Sequence, residues 1–163
     1  MSEILTASED ASQTLRGVLI SVGPARLLLP NANVSEVITF SDPEPVEAAP
    51  PWLLGRVRWQ GWRLPLVSFP EMIGLPAERA KLGAKVAVLK LLGGDPTRSY
   101  FALLSQGFPR LITVRPEALE QPAPEFEGTP GIRHAIRIDG DLVFVPDLAA
   151  VEAALVEALP QAA

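Results

Sequence analysis

Cysteine is absent from the 163 residues, which excludes disulfides, thiolate nucleophiles, thiolate zinc sites and cysteine-bound iron–sulfur clusters. Histidine occurs once, at His134, so a multi-histidine metal site is impossible and a Ser-His-Asp relay could run only through that residue. No Gly-x-Ser-x-Gly elbow is present. Gly93-Gly94 is not followed by the Gly-Lys-Ser/Thr of a phosphate loop. Apolar runs long enough to span a bilayer, about 18 residues, are missing. The start Met1-Ser2-Glu3-Ile4-Leu5 lacks the basic region and apolar run of a signal peptide, and a soluble, cytoplasmic location is expected. Basic residues are outnumbered, 14 Lys+Arg against 19 Asp+Glu for a net charge of −5, so general attraction to nucleic acid is not expected. The closest paired carboxylates, Asp139 and Asp141, flank Gly140 and read as a turn. No enzyme chemistry and no cofactor is expected from this inventory.

Short apolar runs punctuated by turn residues make up most of the chain. Residues 1–14 are polar and read as a tail, with one domain expected over 15–159. Strands are predicted at 15–22, 26–29 and 34–40, before a proline-rich loop over 42–51. Residues 53–59 and 62–67 flank Gln60-Gly61 and read as a hairpin. Ser68-x-x-Glu71 has capping-box spacing before a short helical turn. Further strands are predicted at 85–92, 100–106 and 110–114. Asp139-Gly140 between 132–138 and 142–145 is the strongest hairpin signal in the chain. Asp147 is placed to cap a terminal helix that carries Leu148, Val151, Leu155 and Leu159 on one face.

The two halves share a grammar. Gly61 and Gly140 lie 79 positions apart, and the same shift carries Ser68 onto Asp147, Val57 onto Ile136, Leu64 onto Val143 and Leu66 onto Val145. Duplication of a small β unit explains this. Short strands at hairpin spacing, five countable per half, predict an all-β protein of sandwich or small-barrel type.

Three surface features are candidates for contact. Arg56, Arg58 and Arg63 cluster on one hairpin, either as a solvated strand face or as a patch for an acidic protein surface. Trp52, Trp59 and Trp62 share the same stretch; Trp59 is expected in the core, and Trp52 and Trp62 as exposed anchors. In a regular strand Val34, Glu36 and Ile38 would share a face with Val37 opposite. A carboxylate there is at a rim, discourages edge association, or is satisfied by a partner. His134 reads as a structural or exposed imidazole.

Taken in order, these residues resemble the CheW-like domain, the adaptor of bacterial chemosensory arrays. The likeness runs from about Leu15 to the terminal helix and centres on residues 50–67, PPWLLGRVRWQGWRLPLV, with Val34-Ser35-Glu36-Val37-Ile38 upstream and Val143–Leu148 downstream. The resemblance implies two five-stranded SH3-like barrels packed side by side with an apolar interface, a short helix between the halves and a C-terminal helix. It also implies a non-enzymatic coupling protein that binds the cytoplasmic helical hairpin of a chemoreceptor and the regulatory domain of a CheA-type histidine kinase. Partner-binding residues are then expected at Val34, Glu36 and Val37 in a groove between the barrels, with Arg58 and Gln60 at its margin and Trp62 nearby. Gln60 stands where the family has arginine, which puts one standard contact in doubt. The wording around 54–69 is most similar to the ChpC branch, which serves type IV pilus (twitching motility) systems. Two alternatives remain: an accessory adaptor for another array or pilus-control protein that does not bind the kinase, and, remotely, a carboxylate-based hydrolase on a β-barrel.

Overall fold

The structure, a computed structural model, describes residues 15–76, 79–93, 99–117 and 122–159; the expected tail over 1–14 lies outside them. Ten strands follow in chain order: β1 (Leu15–Val22), β2 (Ala25–Pro30), β3 (Val34–Thr39), β4 (Leu53–Trp59), β5 (Trp62–Val67), β6 (Lys85–Lys90), β7 (Tyr100–Ser105), β8 (Arg110–Val114), β9 (Ile132–Ile138) and β10 (Asp141–Pro146). Among the described residues, two α-helices accompany them, α1 (Phe69–Met72) and α2 (Leu148–Ala158), with 3-10 turns at Asn31–Asn33 and Pro124–Phe126.

Local chemistry sets the hairpins. Gln60 and Gly61 have φ of 48° and 81°, and Asp139 and Gly140 have 51° and 84°. Two consecutive residues at positive φ make the turn whose twist matches that of the flanking strands. Asp147 accepts the amide of Ala150 at 3.2 Å and caps α2. Ser68 occupies the equivalent position before α1, but its side chain makes no capping hydrogen bond, so the capping box expected from Ser68 and Glu71 does not form.

The strands form two five-stranded sheets with orders β8-β1-β2-β10-β9 and β3-β6-β7-β5-β4. They do not divide the chain at its middle. One sheet is the continuous block 34–105; the other joins the first two strands to the last three. Replacing β3 to β7 by β8, β9, β10, β1 and β2 in turn converts one order into the other. Each sheet has one parallel pair, β2 with β10 and β5 with β7.

The duplication is visible bond by bond. The amide of Glu44 donates to Arg56 O and that of Ala123 to Ala135 O, both at 2.8 Å; Ser68 N donates to Trp52 O and Asp147 N to Gly131 O, both at 2.9 Å. Each pair of bonds differs by the same 79 positions. The Glu44 and Ala123 segments also cover the exposed edges of β4 and β9.

Three apolar cores result. The largest has sixteen buried residues and lies between the sheets: Ile20, Leu27, Leu89, Phe101, Leu103 and Phe144 are at most 2% exposed, and Val151 and Leu155 of α2 close one side. Eight buried residues, among them Val57, Leu64, Leu66, Val86 and Leu104, fill the β3–β7 barrel. Three, Leu19, Ile136 and Val143, fill the other. β1, β2, β6 and β7 supply alternate residues to a barrel interior and to the layer between barrels, so residues of both faces are drawn inward, and 18–20, 27–29, 86–89 and 101–104 read as short apolar runs. At roughly 1.5–3 kcal/mol per buried aliphatic or aromatic side chain, the sixteen-residue layer is the dominant hydrophobic term holding the barrels together.

Candidate functional site

β3 departs from the regular alternation. Val34 is opposite Leu89 and Glu36 opposite Val88, so Ser35 is an extra residue in a bulge. The expected face holding Val34, Glu36 and Ile38 together is therefore not present. Val34 packs on the layer between the sheets and Ile38 on the barrel interior. Val37 is opposite Ala87, which belongs to the inter-sheet layer. The bulge thus brings Val34 and Val37 to the same side, half-buried at the rim of the apolar seam.

Glu36 is exposed but engaged. One carboxylate oxygen accepts the Trp59 indole N–H at 2.8 Å and the Gln60 side-chain amide at 3.3 Å. β3 and β4 are the two edges of their sheet, so Glu36 straps the curled sheet across its opening. Trp59 is half-buried at this mouth rather than in the core. It stands edge-on to Tyr100 with ring centroids 4.9 Å apart, and Trp62 approaches the same ring at 5.8 Å. Trp62 is consequently half-buried and braced, not a free anchor. Trp52 is half-buried against the inter-sheet core, so the expectation of an exposed Trp52 also fails. Its neighbours explain why: the main chain of Trp52 is tied to Ser68 where β5 enters α1.

The arginine cluster carries its own acid. Glu44 accepts Arg63 at 2.6 Å and lies 3.8 Å from Arg58. The Arg63 hydrogen bond, and then its charge, hold the Glu44 carboxyl below the ordinary value of 4.5. Arg58 and Arg63 face each other across the β4–β5 pair, and Glu44 offsets that like-charge contact. Arg58 remains the more exposed, at 81% of its side chain.

The second barrel buries fewer apolar residues in its interior, three against eight. An apolar recess of about 510 Å³ opens among Leu28, Val114, Ile136 and Val145, with Arg16 and His134 also lining it. Asp141 is bound by Arg26 at 2.5 Å, and Asp139 occupies the turn, as the turn reading expects.

Sequence reasoning missed three residues. Leu82, Phe108 and Leu111 are 107%, 71% and 73% exposed. Leu111 is opposite Val18 of the inter-sheet layer, while its neighbour Ile112 packs into the barrel. The available signal was that Leu111, Ile112 and Val114 are apolar within a five-residue edge strand; alternation can bury only one face of it. Among the described residues, no cluster of three or more His, Asp or Glu side chains could hold a metal ion, and no helix is long and apolar enough to cross a membrane.

A profile of the CheW-like domain matches residues 16–154. Among solved structures, the chain is similar to the scaffolding protein TtCheW from Thermoanaerobacter tengcongensis, with a TM-score of 0.65 at 13% identity over 82% of this chain and 88% of that one. No curated protein matches the sequence.

Proposed function

The chain belongs to the CheW-like domain family, and from that premise we propose that it is a coupling scaffold of a chemosensory array. In this reading it joins the cytoplasmic helical hairpin of a chemoreceptor to the regulatory domain of a CheA-type histidine kinase, within the cytoplasm at a receptor array. Its work is geometric: a change in receptor conformation reaches the kinase through the differential contacts the scaffold makes with each. The ChpC branch, and with it a twitching-motility system, is the member of the family the 54–69 wording favours.

The observation that carries the reading is the bulge at Ser35, which aligns Val34 and Val37 on the rim of the inter-barrel seam. A half-buried apolar rim continuous with a large core is suited to an amphipathic helix laid along it. Glu36, Gln60 and Trp62 brace that rim from the barrel mouth, and Arg58 borders it. In a pull-down with a receptor hairpin from the same organism, Val34→Ala with Val37→Ala is expected to weaken capture about tenfold or more while the far-UV spectrum and melting temperature stay close to wild type. Unchanged capture would refute the placement.

A specific observation favours a second reading. Gln60 replaces a charge and turns its amide to Glu36, while Arg63 is committed to Glu44. The cationic fork expected by family resemblance is thus missing at residue 60, which suits an accessory adaptor that does not bind the kinase. Co-purification with the kinase regulatory domain separates the two: a stable complex supports coupling, and its absence supports the accessory role.

A further inference from the structure

We propose that the recess of the second barrel is a binding site for a medium-chain fatty acid, with the acyl chain inside it and the carboxylate at Arg16; the inference stands apart from the coupling reading. The recess has its cause in the sequence. Under the strand exchange that converts one sheet into the other, the Leu66–Ala102 pair corresponds to Val145 and Leu28, one step beyond the Phe144–Leu27 pair. Two residues along β7 from Ala102 is Leu104, opposite Val86; two along β2 from Leu28 is Pro30, opposite Gly17. Val86 is in turn opposite Ile38, and Gly17 opposite Ile112, so Phe40 corresponds to Val114. The β3–β7 barrel fills this end with Phe40, Val86 and Leu104, the last two at 1% exposure. The second barrel has Val114, Gly17 and Pro30 in their places. Three interior side chains are cut back at one end of one barrel, and about 510 Å³ of apolar space is left there.

The lining selects the ligand. Leu28, Val114, Ile136 and Val145 offer no hydrogen-bonding side chain, and the volume falls within the roughly 300–1,000 Å³ of small-molecule sites. A sugar, nucleotide or amino acid would bury polar groups there without partners. The polar side chains of the lining are Arg16 and His134, and both are exposed. No Asp or Glu lines the recess, in a chain whose acids outnumber its Lys and Arg by 19 to 14. Arg26, Arg58, Arg63 and Arg137 each lie against a carboxylate, whereas Arg16 has none among the described residues. A permanent cation beside an acid-free apolar recess matches a ligand with one anionic end and a hydrocarbon remainder.

The test titrates the full chain with sodium octanoate, decanoate and dodecanoate by calorimetry, below their micellar concentrations. Wild type is expected to bind each, with affinity rising about fourfold for every methylene added, and decanoate is expected to raise the melting temperature. Pro30→Leu with Val114→Phe gives the second barrel the side chains of the first. It is expected to lose about tenfold or more in decanoate affinity while melting, without ligand, at or above wild type. Arg16→Glu, at an exposed site, is expected to lose a similar factor with an unchanged melt. Decyltrimethylammonium, which has the same tail and the opposite charge, is expected not to bind. Decanoate affinity unchanged in either variant overturns the site, as does binding of the cationic amphiphile as tight as that of decanoate, or no binding of dodecanoate by wild type. A wild-type dimer that Pro30→Leu with Val114→Phe abolishes, with no decanoate bound, assigns the recess to a second copy of the chain and overturns the proposal. The coupling reading stands under each of these results.

Discussion

Gly55 allows the most direct test of the packing logic. Its φ is +143°, and a Cβ placed on it would lie 2.4 Å from Glu44 O and 2.8 Å from Pro43 Cβ. Glu44 O is the acceptor of the Arg56 amide at 2.8 Å, and the Glu44 amide returns a bond to Arg56 O at the same length. Gly55→Ala therefore does two things. It forces a side-chain-bearing residue into a backbone region tolerated by glycine, at about 1–3 kcal/mol. It also drives the 43–44 segment off the edge of β4, which puts two backbone hydrogen bonds at risk, each worth about 0.5–1.5 kcal/mol net. The total is about 2–6 kcal/mol, a large part of the roughly 5–15 kcal/mol of an ordinary domain. Gly61→Ala is the control. Its φ is also positive, at +81°, but nothing lies within 4 Å of the added Cβ, so only the left-handed strain of about 1–2 kcal/mol applies. At about 2–4 °C per kcal/mol for a chain of this size, Gly55→Ala is expected to lower the melting temperature by about 4–24 °C and Gly61→Ala by about 2–8 °C. Calorimetry of the purified proteins reads both. A Gly55→Ala protein that melts at or above Gly61→Ala would refute the close-approach argument.

Acid stability should depend on Glu44 and Glu125, whose carboxyls are both held below 4.5, by hydrogen bonds from Arg63 and Arg137 respectively. For a lowered folded-state value the stabilisation is complete above the ordinary value and disappears as pH falls through the folded one; the double change Glu44→Gln with Glu125→Gln should therefore flatten urea midpoints below about pH 4.5, and a midpoint that still falls as steeply as in wild type would count against these pairs. Leu103→Ala, in the inter-sheet layer at 1% exposure, should cost about 2–5 kcal/mol. Because that layer is the largest core, wild type and variant should each lose tryptophan fluorescence, which reports residues 52–62, together with far-UV ellipticity; separated transitions would show that the barrels unfold independently.

Legibility in the sequence followed the range of the forces involved. The β4–β5 and β9–β10 hairpins have the bounds expected from sequence, apart from one residue at each end of β10, because Gln-Gly and Asp-Gly turns and the alternation beside them are decided within a few residues. The terminal helix has the expected cap and buried face for the same reason. The proposed contact surface was legible only in part. Val34 and Val37 could be named, but a one-residue bulge, invisible to period-two reasoning, put them on one side. The tryptophan roles were misassigned because composition does not say which ring finds Tyr100 or Glu36.

By itself, then, the sequence determined strand identity, turn type, the 79-residue repeat and the absence of thiol chemistry. All of these are properties of a residue and its near neighbours. Tertiary structure decided which strands share a sheet. β1 and β2 carry apolar residues on both faces and could satisfy their edges with any neighbour; their placement beside β8 and β10 follows from closing a layer between two barrels with residues drawn from both ends of the chain. It also decided that Leu82, Phe108 and Leu111 would remain uncovered. A leucine's spacing fixes the face it occupies, and only the presence or lack of a packed neighbour fixes whether that face meets water.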